Sequence, residues 1–276
     1  MTRVIVSLTT IPPRFAGLQD CLESLLQQTA QIDQINLYLP RRYRRFPGDY
    51  TLPKVPSGIT IRIVEDDYGP ATKVLPAAVE NAGTDTLILF CDDDKVYHPT
   101  WAQHLVDGAK VHPDCCIVAV GANVSQFSRY TWSSPKVPAA DFVHKDWWYR
   151  AKRATSLGRW KPSNIQGSGY VDILCGWAGC AVRPEFFCQG DFDIPDILWT
   201  VDDVWLSGCL ERNGVPIWLE NLDTKKRPRR GVNDTLDDAL RGLTYKGYDR
   251  QRANQACIRY FKERYGIWGG REIAQA

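Results

Sequence analysis

The chain has 276 residues, of which 44% are apolar and 24% charged, with a formal charge of only +2. That composition excludes wholesale disorder and is enough for a substantial core in one large domain or two small ones. So small a net charge gives no support to a nucleic-acid binder, and no nucleic-acid partner is expected.

"RVIVSLTTI" (3–11) is β-branched and predicts an early core strand, stopped by Pro12 and Pro13. "FAGLQDCLESLLQQT" (15–29) sets Leu18, Leu22, Leu25 and Leu26 at helical spacing. "QINLYLP" (34–40) predicts a second strand, and the Arg- and Pro-rich stretch 41–57 an irregular loop. "ITIRIVEDD" (59–67) predicts a third strand, "ATKVLPAAVENAG" (71–83) a short helix, and "LILFC" (87–91) a fourth strand. This alternation argues for an α/β layer around a largely parallel sheet, where ligands bind beyond the carboxyl ends of the strands.

Further on, 99–113 predicts a helix and 115–124 a strand. Residues 125–170 lose periodicity and carry Trp132, Trp147, Trp148 and Trp160 among basic residues. Strand-like, Gly-rich character returns at 171–187, followed by an amphipathic helix over 201–214, a strand at 215–221, a basic run "KKRPRRG" (225–231) and a helix at 249–265. Nine cysteines, an odd number without a C-x-x-C, fit neither a zinc site nor a complete disulfide framework. Reduced, buried thiols in a cytoplasmic protein are expected. Met1 leads into an apolar stretch without the length or cleavage region of a signal peptide, and no run reaches the roughly 20 apolar residues of a membrane span. At most peripheral membrane contact is expected.

Four segments carry chemistry. "LILFCDDDKVY" drives an apolar strand into Asp92, Asp93 and Asp94, and unpaired buried carboxylates are costly. In extended backbone Asp92 and Asp94 share a face, which suits a hard divalent cation and phosphate oxygens; a solvated Asp turn is the alternative. "VDDVWLSGCLERNG" places Asp202 and Asp203 where a helix begins, either as ordinary caps or with one as a general base. "EDDYGPATKVLP" brackets a turn with Asp66, Asp67 and Lys73, and "CGWAGCAVRPE" sets Gly176 and Gly179 around Trp177 for close backbone approach or for a bulge.

Together these segments resemble the GT-A glycosyltransferases, enzymes that use nucleotide-sugar donors. The resemblance rests on "LILFCDDDKVY" as a D-x-D motif, on "ILCGWAGCAVRPEFF" as a Gly-rich acceptor-side segment, and on "VDDVWLSGCLERNGVPIW", which is similar to the acidic segment of inverting members. It implies an α/β, Rossmann-like GT-A fold with a central, mostly parallel mixed sheet flanked by helices. The catalytic domain would span 1–222, with 1–124 holding the nucleotide-sugar and 125–222 the acceptor, and 223–276 would form a basic loop and helical tail. By position, Asp92 looks like the residue facing ribose and metal, and Asp94 like the direct ligand of Mn2+ or Mg2+. Asp203 looks like the base, with Asp202 in the preceding acidic slot.

The same resemblance assigns Thr9, Thr10, Arg14, Asp93 and either Asp66 or Asp67 to the donor, and Lys73 to its diphosphate. It implies a UDP-sugar or related donor, a saccharide or glycolipid acceptor, and a part in polysaccharide biosynthesis. No histidine follows the acidic helix to complete a metal shell, so the third protein ligand is open; His98 and His144 lie elsewhere, and Asp223 is a candidate by position only. Retaining transfer, a Mg2+-dependent nucleotidyltransferase or phosphohydrolase, and a carbohydrate-binding module are the rival readings.

Overall fold

The structure is a computed structural model that describes residues 2–127, 130–131, 134–143, 147–156, 165–235, 242–269 and 271–272. Eight strands make the central sheet: β1 (Arg3–Thr9), β2 (Gln34–Pro40), β3 (Ile59–Val64), β4 (Thr86–Phe90), β5 (Cys116–Val118), β6 (Gly169–Val171), β7 (Cys180–Val182) and β8 (Ile217–Leu219). Their order is β6-β8-β5-β7-β4-β1-β2-β3. The pairs β1–β2, β1–β4, β2–β3 and β5–β8 are parallel, whereas β7 is antiparallel to β4 and β5, and β6 to β8. Only β6 and β7 therefore run against the common direction, and the expected α/β fold with a mostly parallel mixed sheet flanked by helices is what the chain forms.

Side-chain alternation divides the core in two. Along β1, Val4, Val6 and Leu8 pack on one face, against α1 (Gln19–Leu26) and α3 (Trp101–Val111). Ile5 points to the other, which is covered by α2 (Leu75–Glu80), α5 (Asp202–Arg212) and α6 (Arg250–Tyr265). The period of two sorts β4 likewise: Leu87 and Leu89 go one way, Ile88 and Phe90 the other. Such two-sided burial is what near-continuous apolar strands such as "TLILF" require.

Boundaries differ from the sequence reading for local reasons. The Pro12–Pro13 pair starts a 3-10 turn (Pro12–Gly17), so α1 begins only at Gln19. The strand expected over 115–124 divides into β5 and a short piece, Gly121–Ala122, that leaves the sheet to pair with Ile173–Leu174. Within the aperiodic stretch, Trp147–Thr155 forms a helix, α4, with the rings of Trp147 and Trp148 exposed and stacked 3.9 Å apart. Trp132 and Trp160 lie outside the described residues. All nine cysteines are free and most are buried.

The C-terminal helix packs with the sheet rather than lying apart from it. Asp249 caps it, Gly266 ends it in the left-handed region at φ 70°, and Ala253, Cys257, Ile258 and Phe261 enter the same core as Trp205. A Cβ on Gly208 would lie 2.3 Å from the Phe261 ring, so α5 and α6 approach this closely only because residue 208 is glycine. Gly208→Ala should cost about 1–3 kcal/mol through overpacking. Urea denaturation of the variant, alone and combined with Phe261→Ala, checks this: the two effects should be strongly non-additive if the methyl acts through that ring.

Candidate active site

Because β1 to β4 run parallel, their carboxyl ends share one rim, and one cavity draws its lining from all four. Thr9 ends β1 and Thr10, Ile11 and Arg14 follow it; Pro40 ends β2 and Tyr43, Arg45 and Phe46 follow it. Asp67, Gly69, Pro70 and Lys73 follow β3, and Asp92 and Asp93 follow β4. Trp199, Asp202, Asp203 and Arg250 close the far side.

The three acids that end β4 have three different settings. Asp92 Oδ1 accepts a hydrogen bond from Lys73 Nζ at 2.6 Å. Burial pushes the Asp92 carboxyl up, but the Lys73 ammonium outweighs it and holds the group below its usual range. Asp93 is 5% exposed and accepts from Thr10 Oγ1 at 2.5 Å and from Arg14 at 2.7 Å, tying the loop after β1 to the end of β4. Burial outweighs these partners and raises the Asp93 carboxyl. Asp94, expected as the direct metal ligand, is not part of the cavity lining; its Oδ1 lies 3.1 Å from Lys95 Nζ and its Oδ2 3.9 Å from Arg14. Burial, followed by the charge of Asp92, raises the Asp94 carboxyl against the pull of Lys95.

Lys73 is the link between the two halves of the site. Only 2% exposed, its ammonium also lies 2.7 Å from Asp202 Oδ2 at the start of α5, and its backbone carbonyl accepts from Ser7 Oγ in β1. Burial alone would lower its pKa; Asp202 and then Asp92 hold it well above the usual lysine range. Asp203 Oδ1 accepts from the Gly176 backbone N–H at 2.9 Å. Burial, then the adjacent Asp202, push the Asp203 carboxyl up to about 7 against the pull of Lys73. A Cβ on Gly176 would stand 2.5 Å from Lys73 Nζ and 3.1 Å from Asp203 Oδ1. The close approach that the glycine permits is therefore to the site's own charged groups.

Of the residues expected from sequence, Thr9, Thr10, Arg14, Asp67, Lys73, Asp92, Asp93, Asp202 and Asp203 converge on the cavity. Lys73, expected at the donor's diphosphate, is there with its ammonium between two carboxylates. Asp67 accepts from the backbone N–H groups of Arg44 and Gly69, at 2.8 and 2.7 Å, and so braces two loops. Asp66 is exposed and off the cavity, within 3.3 Å of the Tyr68 hydroxyl. Asp223 is exposed and caps the turn Thr224–Lys226, also off the cavity. His98 bonds Thr100 instead, and His144 lies outside the described residues.

The basic run is stitched to the acid-tipped strand: Arg229–Arg230 pairs with Lys95–Val96, and Gly231 N–H donates to the Asp94 carbonyl at 2.8 Å. Sequence reasoning missed Tyr43, Arg45, Phe46, Trp199 and Arg250. The alternation of rings and arginines in "RRYRRF" was a usable signal; nothing local marks Arg250.

A preformed cluster of three or more metal-ligating side chains is absent among the described residues. Asp92 and Asp94 still have the chemistry of a hard-cation site: such an ion needs only one or two carboxylates when phosphate and water supply the rest, and only one oxygen of Asp92 is taken up by Lys73.

No family model matches the chain, and no curated protein matches it. Among solved structures it is similar to S. aureus TarS 1-349 in complex with UDP, at 15% identity and a TM-score of 0.40. The match covers 82% of this chain and 59% of that one, so the chain spans under two thirds of the neighbour's length.

Lys73→Met would leave Asp92 and Asp202 without their shared cation. Breaking a buried ion pair from one side typically costs about 3–5 kcal/mol, and a loss in that range is the expected outcome in chemical denaturation. A loss below about 1 kcal/mol would show that the bridge is solvated like an ordinary surface pair.

Proposed function

We propose that this chain is a glycosyltransferase of the GT-A type, moving a sugar from a nucleoside-diphosphate donor to a hydroxyl of a saccharide or glycolipid acceptor with inversion. The observation that carries the reading is the pairing, within one cavity at the strand ends, of an acid-tipped parallel strand with a carboxyl held near neutrality. A general base works best when its pKa lies close to the working pH, and Asp203, at about 7, meets that condition.

Each group in the cavity has a part in this scheme. The rings of Tyr43 and Phe46, with Pro40 and Ile11, suit the flat face of a nucleobase at one end. Thr9 and Thr10 line the path from there to the acids. Asp94, with the second oxygen of Asp92, would hold Mn2+ or Mg2+, and the ion when bound would offset the charge developing on the departing diphosphate. Lys73 holds Asp92 and Asp202 in place, the Gly176 N–H orients Asp203, and Asp203 removes the proton from the acceptor hydroxyl. The exposed Arg229–Arg230 pair beside Asp94 stands where cations would face the same leaving group.

Four measurements test the reading. Asp203→Asn should lower kcat by about 10^2–10^4 with little change in donor affinity, and proton NMR of the product's anomeric coupling should show inversion. A retained configuration would remove Asp203 as a simple base. Because the base acts in its ionised form, activity should be lost as the pH falls through about 7 and recover above it. Asp94→Ala should abolish turnover of a UDP-sugar in Mn2+, and unchanged turnover would break the metal assignment.

A further inference from the structure

Four cationic side chains line the cavity: Arg14, Arg45, Lys73 and Arg250. Three of them are engaged. Arg14 pairs with Asp93 and Asp94, and Lys73 with Asp92 and Asp202. Arg45 lies over the Phe46 ring at 5.1 Å. Arg250 alone makes no hydrogen bond or ion pair among the described residues, although its charge is felt at both Asp203 and Cys175.

The placement of Arg250 is firm. It is the first residue of α6, half-buried, and Asp249 immediately before it accepts from the Arg252 N–H at 2.8 Å. The turn that leads in is anchored on Asp196 by Tyr245 and Lys246, and the Tyr245 ring packs near Trp199, itself part of the cavity wall. Behind it, Ala253 and Cys257 are buried in the core. A guanidinium carries five donors in a planar fork and keeps its charge at any working pH, so a partly enclosed one without a protein partner is matched to an oxyanion. The need for it is electrostatic: Asp92, Asp202 and Asp203 share this end of the cavity with only Lys73 between them, and an entering anion would otherwise meet net negative charge.

We infer that Arg250 forms an oxyanion subsite at the Asp203 end of the cavity, binding a phosphate or carboxylate group of a substrate through paired N–H donors. Two sources share that chemistry, the diphosphate of the donor and an acidic group on the acceptor. Naming the substrates rests on the proposed function; the anion subsite does not.

The experiment compares wild type, Arg250→Ala and Arg250→Lys by calorimetry with UDP, uridine and pyrophosphate, and with inorganic phosphate added to UDP-saturated protein. If the donor supplies the oxyanion, Arg250→Ala weakens UDP and pyrophosphate by about tenfold to a hundredfold and leaves uridine unchanged. Arg250→Lys, which keeps the charge but loses the fork, falls between. If the acceptor supplies it, UDP binding is unaffected and phosphate binding to the UDP complex is lost in Arg250→Ala. Identical affinities for every probe in all three proteins overturn the inference, as does a wild type that binds none of the anions. Pyrophosphate binding that depends on Arg250, in a protein with no sugar transfer from any UDP-sugar, removes the proposed function and leaves the subsite standing.

Discussion

A single buried ammonium holds the site together. Lys73 is sequestered from water between Asp92 at the end of β4 and Asp202 at the start of α5, at 2.6 and 2.7 Å. Asp202 in particular, 5% exposed, would not be tolerated there without it, because isolated charges in a protein interior cost several kcal/mol even after relaxation. The same contact explains why residue 176 is glycine, and the Lys73 carbonyl is separately tethered to Ser7 of β1. It also joins elements distant in sequence, so the donor-side strand and the base-side helix are held in register by one charge.

Charge is distributed unevenly around that pivot, and the unevenness gives the acids different chemistry. Asp92 faces Lys73 directly and stays ionised, whereas Asp203 has burial and Asp202 working against its ionisation and titrates near neutrality. Asp93, between Asp92 and Asp94, is buried and holds the β1 loop through Thr10 and Arg14. Environments that push neighbouring carboxyls apart in this way allow one cavity to hold both permanent charge and a proton acceptor.

Much of this was legible in the sequence because it depends on periodicity. Apolar runs bounded by proline or acid located β1 to β4, and the parallel alternation placed their polar ends on one rim. The D-D-D run could be named as a site candidate because an apolar strand leads straight into it, whereas the D-D pair at the helix start was equally readable as ordinary caps. What stayed hidden depended on long-range contact. Asp66 and Asp67 are indistinguishable as adjacent letters, yet only Asp67 turns inward to meet the backbone of Arg44 and Gly69. Helix α4 was not expected because it lies within the long stretch 125–170 that lacks periodicity as a whole; its Trp147 and Trp148 are exposed.

By itself, then, the sequence determined the layered α/β architecture, the strand ends that carry acids and the helix that begins on Asp202 and Asp203, because each follows from local spacing and backbone preference. The tertiary structure alone decided that the Lys73 ammonium sits between two carboxylates. It also brought Arg250, from the far end of the chain, to the wall of the cavity and placed Asp203 in surroundings that raise its pKa. Ionisation and pairing depend on which charges become neighbours and how much water is removed from them, and neither is written at any fixed distance along the chain.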